Sequence, residues 1–157
     1  MTEEELIRFV TGLPGVVAVT ASEANGAPQA AWGDSFFFYD PDASLPADRR
    51  LPFTTIVTQD YDGFDTSSNL NRPGVFRLNV AVGRKRFEDL FGYGPAEYSG
   101  RSASIDYAAV DTVIPHPLYA AQGWVSIVCP GARTSEDACS LITHAHQRAA
   151  ERYRPHH

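Results

Sequence analysis

Stretches with β-strand patterning follow one another here with no helical pattern between them. Residues 16–20 are rich in Val and Thr, residues 30–39 are strongly aromatic, and residues 53–59 carry Thr54, Thr55, Ile56, Val57 and Thr58. β-Branched and aromatic residues suit a pleated, half-buried surface. Residues 75–82 then alternate cleanly. Phe76, Leu78 and Val80 point one way, and Arg77 and Asn79 point the other. Strands in a run, rather than strands alternating with helices, predict an antiparallel sheet.

Helical patterns flank and interrupt this run. Thr2 with Glu5 forms a capping box ahead of Leu6, Ile7, Phe9 and Val10, which predicts a helix over 2–11. Gly83 opens a short helix through Phe91. Ala138, Leu141, Ile142, Ala145 and Ala149 give the apolar face of a final helix over 134–152. Residues 123–129 read as one further strand, preceded by an extended stretch from Asp106 to Ile114. Asn25-Gly26 is a hairpin signal. Residues 40–52 and 60–74 read as polar surface loops, and the Gly-, Ser- and Tyr-rich residues 92–104 as a mobile stretch. The expected architecture is α+β, a two-layer sandwich with helices on one face of the sheet. Its 157 residues show no linker or repeat, so a single domain over 1–157 is expected.

Charge narrows the partners. The formal net charge is -6, and binding to nucleic acid rests on many Lys or Arg contacts to phosphate. Neither nucleic acid nor an anionic membrane is an expected partner. Cys129 and Cys139 form no paired motif, which fits reduced thiols in the cytoplasm. The acidic start, Glu3-Glu4-Glu5, lacks the basic and apolar regions of a secretory signal. His156 and His157 read as a native tail or a tag.

Three stretches are distinctive together: Trp32-Gly33-Asp34-Ser35-Phe36-Phe37-Phe38-Tyr39, Arg72-Pro73-Gly74-Val75-Phe76-Arg77-Leu78-Asn79, and the run from His116-Pro117-Leu118-Tyr119 to Gly123-Trp124-Val125-Ser126. On these the chain resembles an uncharacterised bacterial domain-of-unknown-function family over nearly its whole length. Its C-terminal third is also similar, distantly, to the MmcQ/YjbR-like proteins. That resemblance implies a two-layer sandwich with an antiparallel sheet, and the relatives' DNA-binding label rests on fold analogy, which says little about function.

The candidate site residues come from unusual placements. Asp34 shares a strand face with Trp32, Phe36 and Phe38, so its carboxylate would be desolvated and would need a partner. Arg77 is the candidate partner. His116, locked between Pro115 and Pro117, has a restricted direction and could act as an acid–base group with Asp34, Ser126 or Tyr119. Arg77, Asn79, Trp124 and Ser126 together suit an anionic or aromatic ligand on the sheet face away from the helices. His144 and His146 point about 200° apart on a helix and cannot share a metal. The carboxylates of Asp60, Asp62 and Asp65 lack the spacing of a calcium loop. Arg84-Lys85-Arg86 is the one basic triplet, offset by possible pairs with Glu88 and Asp89. No metal site and no cofactor motif is expected. The function expected first is a small-molecule or partner-binding module. An acid–base enzyme using His116 and Asp34 is the alternative, and a DNA-binding protein is the weakest.

Overall fold

A computed structural model describes residues 1–46 and 50–155, which leaves His156 and His157 outside the described residues. Six strands form one antiparallel sheet: β1 (Val16–Thr20), β2 (Ser35–Tyr39), β3 (Thr54–Val57), β4 (Arg77–Ala81), β5 (Val113–Pro115) and β6 (Trp124–Val128). Their spatial order is β1-β2-β3-β4-β6-β5. The first four strands lie in sequence order, as expected for strands joined without helical crossovers. β6 then pairs with β4, which leaves β5 at the edge.

Three helices cover one face: α1 (Glu3–Thr11), α2 (Gly83–Phe91) and α3 (Ser135–Arg152). α1 begins with the capping box, in which Thr2 and Glu5 each satisfy the other's backbone N–H. Its buried residues are Leu6 and Val10. Ala138, Leu141, Ile142 and Ala145 of α3 join them, with Phe87 of α2. The sheet supplies one parity of its side chains to this core: Phe37, Ile56, Leu78, Val80, Val125 and Ile127. All of these are within a few per cent of full burial, so the helix layer and this sheet face make one apolar contact.

α3 is held at its start by a side chain from elsewhere. The Asp111 carboxylate accepts from the backbone N–H groups of Gly131, Arg133 and Thr134 and from the Thr134 hydroxyl, at 2.6–3.0 Å. A carboxylate at a helix start meets both the free N–H groups and the positive end of the helix dipole. These bonds hold the carboxyl well below its usual range, to about 2.

Three details differ from the sequence expectation. The strand expected over 30–39 begins only at Ser35; Gln29–Ala31 form a 3-10 turn, and Trp32 is partly exposed, with its indole N–H donating to Ala27. Asn25-Gly26 closes a 3-10 turn inside a long β1–β2 connection rather than a tight hairpin, because pairing starts only at Thr20 with Ser35. Residues 92–104 carry local structure that the sequence reading did not assign. They form 3-10 turns at Pro95–Gly100 and Ser102–Ser104, where the Tyr98 and Tyr107 hydroxyls meet. No helix among the described residues is long and apolar enough to cross a membrane.

Candidate functional site

The sheet face turned away from the helices is polar at its centre and roofed by two connections. Strand register aligns Phe36, Thr55, Asn79, Ser126 and Ile114 in one row across the sheet. Arg77 lies one step along β4 on the same face. The β3–β4 connection covers one side of this face, and residues 116–122 cover the other. Between them is a cavity of about 480 Å³, within the usual range for small-molecule sites.

Arg77 forms the cavity floor and is completely buried. Its guanidinium donates to both Asp65 carboxylate oxygens, at 3.0 and 2.6 Å. It also donates to Ser68 Oγ at 3.0 Å and, through Nε, to Asn79 Oδ1 at 2.8 Å. Asn79 extends the network. Its Oδ1 accepts from Ser126 Oγ at 2.7 Å, and its Nδ2 donates to Thr55 Oγ1 at 3.0 Å. No buried side-chain nitrogen or oxygen among the described residues lacks a partner. A forked arginine–carboxylate pair is the strongest arrangement a buried arginine can find. It also cancels the arginine's charge inside the protein.

His116 follows directly on β5. Its backbone N–H donates to Trp124 O at 3.1 Å, so the residue is tied to β6 beside it. Its Nδ1 accepts from the backbone N–H groups of Leu118 and Tyr119, at 3.0 and 3.1 Å. Two N–H groups aimed at one ring nitrogen require a lone pair there, so the proton is on Nε2. The imidazole is 3% exposed, packed against the Tyr119 ring at 4.8 Å and edge-on to Trp124 at 6.2 Å. Burial first, and the Arg77 charge second, push its pKa down to about 2. The ring is therefore neutral at any physiological pH.

Asp34 is fully buried at the entry to β2. It does not pair with Arg77. One oxygen accepts from the Thr58 backbone N–H at 2.8 Å and from the Thr58 hydroxyl at 3.2 Å, and the other accepts from the Tyr61 hydroxyl. Burial raises its pKa, while the bonds from Tyr61 and Thr58 oppose that rise. The Tyr61 hydroxyl, itself buried and bonded to a carboxylate, is pushed above the usual tyrosine range.

The structure thus brings Arg77, Asn79, His116 and Trp124 to one cavity, with Ser126 bonded beneath Asn79. Asp34 is one layer behind, with Tyr61 between it and the cavity. No hydrogen bond joins Asp34 to His116, and Arg77 takes Asp65 as its partner instead. Trp32, expected on the same strand face as Asp34, is in the 3-10 turn before that strand. The other histidines are apart, as their helical spacing dictates. His144 Nε2 donates to Val82 O, and His146 Nε2 donates to Pro14 O. In the basic triplet, Lys85 approaches Asp89 at 4.0 Å with both side chains exposed.

Lining residues that the sequence reading did not propose for the site include Leu51, Thr55, Val57, Tyr61, Phe64 and Asp65. Asp65 had a visible signal, as one of three carboxylates around Gly63, but its partner is twelve residues away across a loop. The rim is unusually apolar. Leu51, Phe64 and Tyr119 are 87%, 60% and 43% exposed, and all three border the cavity. No curated protein and no solved structure matches the chain. A family model matches residues 1–157 in full, and the chain belongs to that family, DUF6194, a family of unknown function.

Proposed function

We propose that the protein binds a small, uncharged, planar apolar molecule in the cavity on the sheet face opposite the helices. The observation that carries this reading is the exposed apolar rim over a buried polar floor. Leu51, Phe64 and Tyr119 stay in solvent at the mouth, while Phe36, Val57 and Trp124 line the interior. Exposed large apolar side chains gathered at one concavity mark a binding site more often than scattered ones do. Aromatic walls favour a flat occupant, which they can stack on or meet edge-on.

The occupant's charge follows from the floor. The Arg77 guanidinium is already neutralised by Asp65, and the His116 ring is neutral. No uncompensated cation remains there for an anion, so an aromatic occupant is favoured over the anionic one that Arg77 alone suggests. The acid–base reading loses its base for a related reason. His116 Nδ1 is occupied by two backbone donors and Nε2 already carries the proton, so the ring donates a hydrogen bond and does not take up a proton. Kinship with the MmcQ/YjbR-like proteins, a bacterial source and a cytoplasmic location belong to the same reading, and none of them bears on the cavity.

The test is a thermal-shift screen of uncharged bicyclic aromatics against the wild type and Val57→Phe, which fills the cavity from its wall. Occupancy at a hundred times Kd stabilises by about 2.7 kcal/mol. For a chain of this size that raises Tm by roughly 5–11 °C. The shift should vanish in Val57→Phe. Equal shifts in both proteins would place the binding elsewhere and refute the proposal.

A further inference from the structure

Among the described residues, His116 has a ring hydrogen-bond donor with no protein acceptor, and it lines a largely apolar cavity. Its Nδ1 is the acceptor for Leu118 and Tyr119, which leaves the proton on Nε2. Nε2 has no acceptor among the described residues, yet no buried side-chain nitrogen is left without a partner. The two facts agree if Nε2 keeps some accessible surface, and the cavity that His116 lines is the space beside it. The side chain is otherwise enclosed, at 3% exposure. Pro115 and Pro117 on either side, the backbone bond to Trp124 O and the two bonds to Nδ1 fix the direction of that donor.

A second donor is close by in the network. Thr55 Oγ1 accepts from Asn79 Nδ2 at 3.0 Å, and its own proton has no acceptor among the described residues. Thr55 also lines the cavity. On the acceptor side the amide oxygen is fully used and the carboxylate is partly used. Asn79 Oδ1 takes protons from Arg77 and Ser126, and both Asp65 oxygens take protons from Arg77. The unused donors that the cavity offers an occupant, at His116 and Thr55, are uncharged.

We infer that the cavity selects planar molecules that carry a neutral acceptor, a conjugated carbonyl or a ring nitrogen, and that His116 Nε2–H is the residue that recognises it. The inference rests on the reading that the cavity binds an uncharged apolar molecule, and it names the polar group of that molecule. A carboxylate is a stronger acceptor in water, but here it would lose its hydration beside the Asp65 carboxylate with no free cation to meet it. A hydrocarbon of the same shape would fill the walls and leave Nε2–H unpaired. An unmade bond to a buried donor costs affinity.

Three probes of matched shape separate these cases: naphthalene, 1-acetylnaphthalene and 1-naphthoate, with dissociation constants measured by fluorescence titration at pH 7. The variant is His116→Asn. The asparagine Oδ1 can take the place of Nδ1 and keep the bonds from Leu118 and Tyr119, while the Nε2–H position is lost. In the wild type the ketone should bind about threefold to tenfold tighter than naphthalene. The carboxylate should bind more weakly than the ketone. In His116→Asn the ketone's advantage should fall to less than about twofold, with naphthalene little changed. Imidazole 15N shifts of the wild-type protein supply a readout that does not depend on the variant folding. They should show Nε2 protonated and Nδ1 bare, with Nε2 moving when the ketone binds and not when naphthalene does. Equal affinities for ketone and hydrocarbon, or an advantage that survives in His116→Asn, would overturn the inference while leaving the cavity reading intact. Failure of all three probes to bind would overturn both.

Discussion

Asp65→Asn is the most informative single change, because it keeps the shape of the floor and removes its compensating charge. The Arg77 side chain is 1% exposed and that of Asp65 is 9% exposed. Asparagine offers one acceptor oxygen where the guanidinium fork uses two, and its amide group would turn an N–H toward an N–H. Arg77 would keep its bonds to Ser68 and Asn79 and would remain a buried cation without a counter-ion. Breaking a buried pair in this way costs about 3–5 kcal/mol. At this chain length that corresponds to a Tm lower by roughly 6–20 °C. Replacing both partners with apolar residues of similar size, Arg77→Met with Asp65→Leu, removes the orphaned charge as well as the pair. The double variant should be more stable than Asp65→Asn alone, since such swaps are often neutral or better. The assay is chemical denaturation with the midpoint and slope read separately. A loss below about 1 kcal/mol for Asp65→Asn, at unchanged slope, would mean that water reaches Arg77 in solution. The neutral floor, and with it the argument against an anionic ligand, would then fail.

Other consequences are equally direct. Leu141, 3% exposed on the buried face of α3, should cost about 2–5 kcal/mol on truncation to alanine through lost burial and a cavity; an unchanged midpoint would take α3 out of the core. His116 gives the protein a pH signature. Between its unfolded pKa near 6.5 and its folded value of about 2, the unfolded chain holds a proton that the folded chain does not, so stability falls as pH falls through that window. The slope has an upper limit of about 1.4 kcal/mol per pH unit, and denaturation between pH 6.5 and 4.5 should be shallower in His116→Asn; identical slopes would place a charged imidazole in the folded state. His144, also lowered by burial, contributes to the residual slope in the variant. With a net charge of -6, no duplex DNA binding tighter than about 0.1 mM is expected at physiological salt, and salt-sensitive micromolar binding in a mobility-shift titration would contradict this.

Sequence periodicity reached the layers of the fold and stopped at the loops. Alternation in 75–82 separated Leu78 and Val80 from Arg77 and Asn79 correctly, because side-chain direction along a strand is a local property. The capping box of α1 and the apolar stripe of α3 are local in the same sense. The aromatic run ending at Tyr39 misled at its start, since strand propensity does not report where pairing begins. Trp32 and Ala31 are in a turn fixed by backbone bonds from Ala31 to Pro28 and from Trp32 to Gln29. Arg77 was legible as a partner for a carboxylate on the sheet face away from the helices, but the carboxylate it takes, Asp65 rather than Asp34, was not. Asp34 and Asp65 are both acidic residues near the sheet, and only the path of the β3–β4 connection decides which one reaches the guanidinium. His116 was legible as a rigid histidine because prolines restrict the backbone locally. That rigidity holds a neutral donor and not a base, and this depends on the N–H groups of Leu118 and Tyr119 turning back on Nδ1.

The central claim is that this cavity, and no other concavity, holds the ligand. One competing place is the groove beside the end of α3, about 360 Å³ in volume and lined by Tyr39, Phe53, Arg148, Arg152 and Tyr153. Backbone amide NMR shifts during titration with 1-acetylnaphthalene decide between them. The largest changes should fall on Leu118 and Tyr119, whose N–H groups bond to His116, and on the Trp124 indole. Changes centred on Arg148, Arg152 and Tyr153, or no saturable change at all, would contradict the account.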